Sequence, residues 1–162
     1  MRAYVGVGTN LGDRWRHLAL AARRLRAAPG VTLLRGSRVY ETAPVGPPQG
    51  RYLNAVLELE TALVPERLLD VLTAIEGAAA RRRRVRWGAR TLDLDLLLYD
   101  ERAVRTPRLE VPHPRLASRR FVLAPLAELC PSRIVPGTGS TVAGLLRAVA
   151  PADVSPIGLY PL

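Results

Sequence analysis

The chain has 162 residues, enough for one domain with its own core, and 48% of them are apolar, which excludes a disordered chain. All 24 lysine-plus-arginine positions are arginine, so a Schiff-base lysine and a P-loop lysine are excluded, and the single cysteine, Cys130, excludes an internal disulfide. The formal net charge of +10 calls for an anionic partner: nucleic acid, acidic lipid headgroups or a phosphorylated small molecule.

Ala3 to Gly8 reads as a first strand. Gly6, Gly8 and Gly12 mimic a dinucleotide fingerprint. The last gap is one residue too long, and no acidic residue closes a second strand about 20 positions on. The segment is a strand-to-helix turn with Asn10 or Asp13 as the cap. Arg14 to Ala27 carries an apolar stripe of Leu18, Ala21, Ala22 and Leu25, with Arg16, Arg23 and Arg26 on a solvated face. Pro29-Gly30 stops this helix.

Val31 to Glu41 is a second strand, followed by a proline-rich loop from Thr42 to Pro48. Arg51 to Thr61 is a third strand, in which Val56, Glu58 and Glu60 oppose Leu57, Leu59 and Thr61. Tyr52 and Asn54 share a face at its start. Tyr52 is either core packing or an aromatic wall beside an amide that reads the edge of a heterocycle. Pro65 to Glu76 is a second helix with proline in its first turn and Leu68, Leu69, Leu72 and Ile75 as its stripe. Glu76 sits at the unfavourable end of the helix dipole, which points to another task.

Arg81 to Tyr99 breaks the local rules most. Arg81, Arg82, Arg83, Arg84 and Arg86 form a run with no acid, in a segment, Gly77 to Ala89, that reads as a mobile loop ordered by anions. Thr91 to Tyr99 then reads as a strand, with Asp93 and Asp95 on one face and Leu92, Leu94 and Leu96 on the other. Carboxylates two residues apart on a strand lie roughly 6.7 Å apart and repel by about 2.5 kcal/mol at an effective dielectric of about 20. A hard divalent cation relieves that repulsion. Mg²⁺ takes one or two carboxylates plus substrate phosphates, and arginine forks suit phosphate oxygens. The same spacing also suits two carboxylates on the wet face of an edge strand beside a solvated loop.

Beyond it, Asp100-Glu101 makes a turn and Ala103 to Thr106 pairs back. His113, between Pro112 and Pro114, is held in a rigid turn. Val122 to Leu129 and Thr141 to Val149 are helical, and the tail from Pro151 carries no signal. The order β-α-β-β-α-β predicts one α+β domain over residues 1–162. Its sheet is ferredoxin-like and antiparallel, with helices on one face, the site on the open face or edge, and C-terminal helical additions.

Arg86-Trp87-Gly88-Ala89-Arg90-Thr91-Leu92-Asp93-Leu94-Asp95 resembles the RWGPRTLDLD signature of the 6-hydroxymethyl-7,8-dihydropterin pyrophosphokinase family, departing only at Ala89. Gly8 to Gly12 matches the family's G-[ST]-N-L-G turn. Thr42, Pro44, Val45, Tyr52 and Asn54 match its T-x-P-[LVI]-G and Y-[LI]-N segments. Arg108 and His113 match R-L-x-[VI]-P-H, where Glu110 and Pro114 depart. Arg119 and Phe121 match R-x-F-[VM]-L-x-P-L.

The resemblance implies transfer of pyrophosphate from ATP to the pterin hydroxymethyl group, a folate-pathway step, with two Mg²⁺ on Asp93 and Asp95. It implies catalytic roles for Arg81, Arg83, Arg90, Asp93 and Asp95. Thr42, Pro44, Val45, Tyr52, Asn54, Trp87 and Phe121 take the pterin. Glu76, Arg83, Trp87, Arg90, Arg108, His113 and Arg119 take ATP. No general base stands out, which suits a reaction governed by positioning and electrostatics.

A competing reading is an RNA-binding module, since the element order, the charge and two aromatics fit one. It lacks an RNP-type aromatic run and leaves the carboxylate pair without a purpose. The expectation is therefore a cytoplasmic, monomeric enzyme acting on small molecules, with no nucleic acid and no membrane.

Overall fold

The computed structural model describes residues 1–42, 50–80 and 92–162. In chain order these form β1 (Arg2–Thr9), α1 (Arg14–Ala27), β2 (Val31–Gly36), β3 (Arg38–Thr42), β4 (Tyr52–Thr61) and α2 (Pro65–Ala80). There follow β5 (Asp93–Tyr99), β6 (Val104–Arg105), β7 (Glu110–Val111), a 3₁₀ turn (Leu116–Ser118), α3 (Arg120–Leu129), α4 (Val142–Ala148) and β8 (Val154–Leu159). The architecture is α+β. The main sheet has the order β5-β1-β4-β3-β8, and β2 pairs with β4 beside β3. Every pairing in it is antiparallel.

The alternation in the strands builds two cores. Ala3, Val5, Leu57, Leu59, Leu94 and Leu96 face α1 and α2, where Leu18, Ala21, Leu25, Leu68, Leu72 and Ile75 meet them. Tyr4, Val56, Leu97 and Leu98 face the other way, onto Leu116, Leu123, Leu126 and Val142. The helices therefore cover both faces: α1 and α2 one, α3 and α4 part of the second. β5 reaches both cores through a bulge. Tyr4 pairs with Leu98 and Val5 with Leu96, which leaves Leu97 as the extra residue.

Helix α1 has the expected bounds. Asp13 accepts the Arg16 amide proton at 3.1 Å and caps it. Four elements differ from expectation. The second strand is split at Ser37, whose amide donates to Val56 O and whose hydroxyl accepts from the Val56 amide, each at 2.9 Å. Helix α2 runs through Gly77 to Ala80, so Glu76 is not terminal; the rest of the expected arginine loop lies outside the described residues. Residues 104–105 do not pair back on β5 but form a small separate sheet with Glu110–Val111. The tail without sequence signal supplies β8, the edge strand beside β3.

Candidate active site

Two glycines of β1 shape the floor of the site. Gly8 pairs with Asp93 and Gly6 with Asp95, so nothing larger than hydrogen stands across the ladder from either carboxylate. Both aspartates line a cavity of about 260 Å³ on the face opposite α1 and α2. Asp95 is exposed and Asp93 half-buried.

The adjoining wall comes from β3 and β4. Thr42 pairs with Tyr52, and Asn54 follows on the same face. Asn54 Nδ2 donates to Thr42 Oγ1 at 2.9 Å, and both residues are buried. A Cβ on Gly8 would come within 3.2 Å of Asn54 Oδ1, so the glycine also makes room for that amide. The third wall is the start of α3. Phe121 and Arg119 line the cavity, with the guanidinium carbon 5.4 Å from the ring centroid, a cation–π distance.

One cavity thus gathers Thr42, Tyr52, Asn54, Asp93, Asp95, Arg119 and Phe121. For Tyr52 this replaces the core-packing alternative with a cavity wall. Gly6, Gly8, Val56, Leu97 and Val122 also line it and were not assigned to the site from sequence. The glycine pair was readable as two gaps on one strand face but was absorbed into a turn motif. Pro44, Val45, Arg81, Arg83, Trp87 and Arg90 lie outside the described residues.

Three expected nucleotide residues stand elsewhere. The Glu76 carboxylate accepts the Leu94 amide proton at 3.0 Å and so holds the start of β5. Arg108 donates to Asp70 at 2.5 Å and lies 3.6 Å from Glu66, both on α2. His113 lines a neighbouring cavity of about 370 Å³. Its amide donates to Leu97 O at 3.0 Å, two residues beyond Asp95. Its Nδ1 accepts the Arg115 amide proton at 3.2 Å, which places the proton of the neutral ring on Nε2. Burial pushes the imidazole below its ordinary value, Asp95 pulls it up, and Arg119 and Arg115 push it down.

The set matches a reaction between a flat heterocycle and a polyanion. An aromatic pair and an amide would suit the one, and hard oxygen donors and a guanidinium would suit the charge of the other. Among the described residues no three His, Cys, Asp or Glu side chains cluster into a closed metal site. The two carboxylates with open space before them fit a cation completed by substrate oxygens instead.

The fold is similar to solved structures at low identity. A Plasmodium falciparum HPPK-DHPS, wild type, with pterin and p-hydroxybenzoate, aligns with a TM-score of 0.70 at 14% identity over 90% of this chain and 42% of that chain. A crystal structure of HPPK-DHPS in complex with substrates aligns with a TM-score of 0.71 at 12% identity over 91% of this chain and 45% of that one. The chain thus spans less than half the length of those proteins. Sequence relatives are nearer. The 2-amino-4-hydroxy-6-hydroxymethyldihydropteridine pyrophosphokinase of Bacillus subtilis is 46% identical over 79% of this chain and 77% of its own length. The protein of that name from Methylorubrum extorquens is 40% identical over 94% of this chain and 96% of its own. Residues 4–131 match the family model described as 7,8-dihydro-6-hydroxymethylpterin-pyrophosphokinase (HPPK). That span covers most of the chain, which therefore belongs to the HPPK family.

Proposed function

We infer that this protein transfers the pyrophosphoryl group of ATP to 6-hydroxymethyl-7,8-dihydropterin, in tetrahydrofolate biosynthesis. Beyond family membership, one observation carries the reading: a single cavity joins the aromatic and amide walls to the aspartate pair. The hydroxymethyl oxygen forms a bond to the β-phosphorus, and the bond from that phosphorus to the α,β-bridging oxygen breaks. AMP leaves with that oxygen, and the hydroxyl proton passes to solvent.

In this reading Tyr52 and Phe121 sandwich the pterin, Asn54 and Thr42 fix its polar edge, and Arg119 faces the phosphates. Pro44 and Val45 complete the pterin side, and Arg81, Arg83, Trp87 and Arg90 the nucleotide side, by resemblance alone. Glu76 acts from behind by fixing the start of β5. Arg108 reaches a phosphate only by exchanging Asp70 for it, and His113 offers Nε2–H as a donor. Asp93 and Asp95 would hold Mg²⁺, two ions by resemblance. Bound there, Mg²⁺ supplies charge neutralisation across the phosphates.

The finer reading of the fold is a ferredoxin-like βαββαβ unit with β2 and β3 as one interrupted strand, extended by α3, α4 and β8. We read residues 1–162 as one domain, acting as a cytoplasmic monomer on small molecules rather than on nucleic acid or a membrane. No helix among the described residues is long and apolar enough to cross a membrane.

The test is product analysis with ATP, Mg²⁺ and hydroxymethyldihydropterin. Pterin-dependent AMP is expected. ADP would mean attack on the γ-phosphorus and would overturn the reaction assigned here.

A further inference from the structure

Behind the cavity, on the side of α1, four charged side chains converge. Strand alternation turns Glu41 away from the cavity that its neighbour Thr42 lines. Glu41 Oε2 accepts from Arg14 Nη1 at 3.2 Å. Glu41 Oε1 lies 3.1 Å from Arg51 Nε, an ion pair whose N–H is not aimed along a hydrogen bond. The same Arg14 Nη1 donates to the Arg51 carbonyl at 2.8 Å. Arg51 Nη2 in turn donates to Asp153 Oδ2 at 3.0 Å. The Glu41 carboxylate thus ties the start of α1, the end of β3 and the approach to β4, and Asp153 extends the cluster to the chain just before β8.

The placement is informative because helix α1 gains nothing from it. Arg14 opens a helix whose first turn holds no acidic residue, and a cation there opposes the helix dipole. Its partner is instead Glu41, and both side chains are less than a third exposed, at 29% and 28%. Screening is therefore weaker than for a surface pair. The clasp sits one residue before Thr42 and, through Arg51, one residue before Tyr52. Those two are paired across the ladder, and Thr42 accepts the hydrogen bond of Asn54.

We infer that Glu41 is a positioning residue for the pterin side of the site. Clasped by Arg14 and Arg51, it fixes the strand ends that present Thr42, Tyr52 and Asn54, without touching substrate. The inference rests on the pyrophosphokinase reading. Binding of 6-hydroxymethylpterin by fluorescence, binding of ATP, and the thermal midpoint are measured on the parent, Glu41→Ala, Glu41→Gln and Glu41→Ala with Arg51→Ala.

Glu41→Ala is expected to weaken pterin binding about tenfold while ATP binding stays within about twofold, the selectivity of a misplaced pocket wall. Glu41→Gln, which still accepts from one arginine and keeps the side chain's size, should fall between parent and alanine. Adding Arg51→Ala should cost only what the remaining Arg51–Asp153 pair contributes, since the pair with Glu41 is already broken. Pterin affinity within twofold of the parent in Glu41→Ala overturns the inference. So does an equal loss of ATP and pterin binding with a fall in thermal midpoint, which would mark general loosening. If the parent binds the pterin and forms AMP while Glu41→Ala behaves like it, only the clasp is wrong. If the parent does neither, the pyrophosphokinase reading fails, and the inference with it.

Discussion

Asp95 is the residue where stability and function pull apart. It is an exposed carboxylate on a strand that is otherwise buried leucine, one facing position from Asp93, and strands disfavour aspartate. Removing it relieves repulsion. Asp95→Ala should therefore leave the thermal midpoint unchanged or higher while lowering AMP formation by at least about a hundredfold, the scale for losing a preorganised electrostatic group. Turnover near that of the parent would remove Asp95 from the metal role. Glu58 is the opposite case, a buried carboxylate that serves the fold. It accepts from Tyr4 at 2.7 Å and from Arg35 at 3.0 and 3.1 Å, with Arg2 at 3.4 Å. Burial raises its pKa, but the Arg35 and Tyr4 hydrogen bonds and the Arg35 and Arg2 charges outweigh burial and hold it below the ordinary value of 4.5. A depressed carboxylate contributes stability that is present above its unfolded-state pKa and is lost as pH falls through the folded one. Glu58→Gln should thus cost about 2 kcal/mol near neutrality and flatten the fall of the urea midpoint below about pH 4.5. A fall as steep as the parent's would assign the acid sensitivity to other carboxylates.

Single elements show how closely the cavity walls are fitted. The Gly8 Cα faces Asn54, and an added methyl would stand 3.2 Å from Oδ1, tight enough to displace the amide from Thr42. Gly8→Ala is accordingly expected to destabilise the protein by about 1 kcal/mol and to raise KM for the pterin severalfold with little change in KM for ATP. Equal changes in both constants would show that β1, rather than the amide, had moved. The same elements show what the sequence made legible. Helix α1 was readable to the residue because its apolar period, the Asp13 cap and the Pro29-Gly30 stop agree. The facing of Tyr52, Asn54, Asp93 and Asp95 followed from the two-residue strand period. The break at Ser37 did not, because it depends on two hydrogen bonds to Val56, nineteen positions away. Strand β8 contains Pro156 and Gly158 and forms because β3 offers an edge, so propensity argued against it. Arg119 and Phe121 were assigned to the site by resemblance alone, since only tertiary packing lays the start of α3 over the sheet at the cavity that the aspartates line. Arg108 could not have been paired with Asp70 by any local pattern, as 38 residues separate them.

At the scale of the whole molecule, a sheet with a core on each face carries a net charge of +10. That charge taxes the folded state by self-repulsion and favours any polyanion that binds it. Plain salt relieves the repulsion in every variant alike, whereas ATP held through Mg²⁺ acts only where the aspartate pair is intact. A ligand at about a hundred times its Kd stabilises by about 2.7 kcal/mol, which for a chain of this size moves the midpoint by about 5–10 °C. ATP with Mg²⁺ should produce a shift of that order in the parent, and a chelator should remove most of it. In a protein carrying Asp93→Asn and Asp95→Asn the ATP shift should be small and the same with or without Mg²⁺. A parent shift indifferent to the chelator would mean that the arginines alone hold the nucleotide. The carboxylate pair would then need another explanation for its place in a leucine strand.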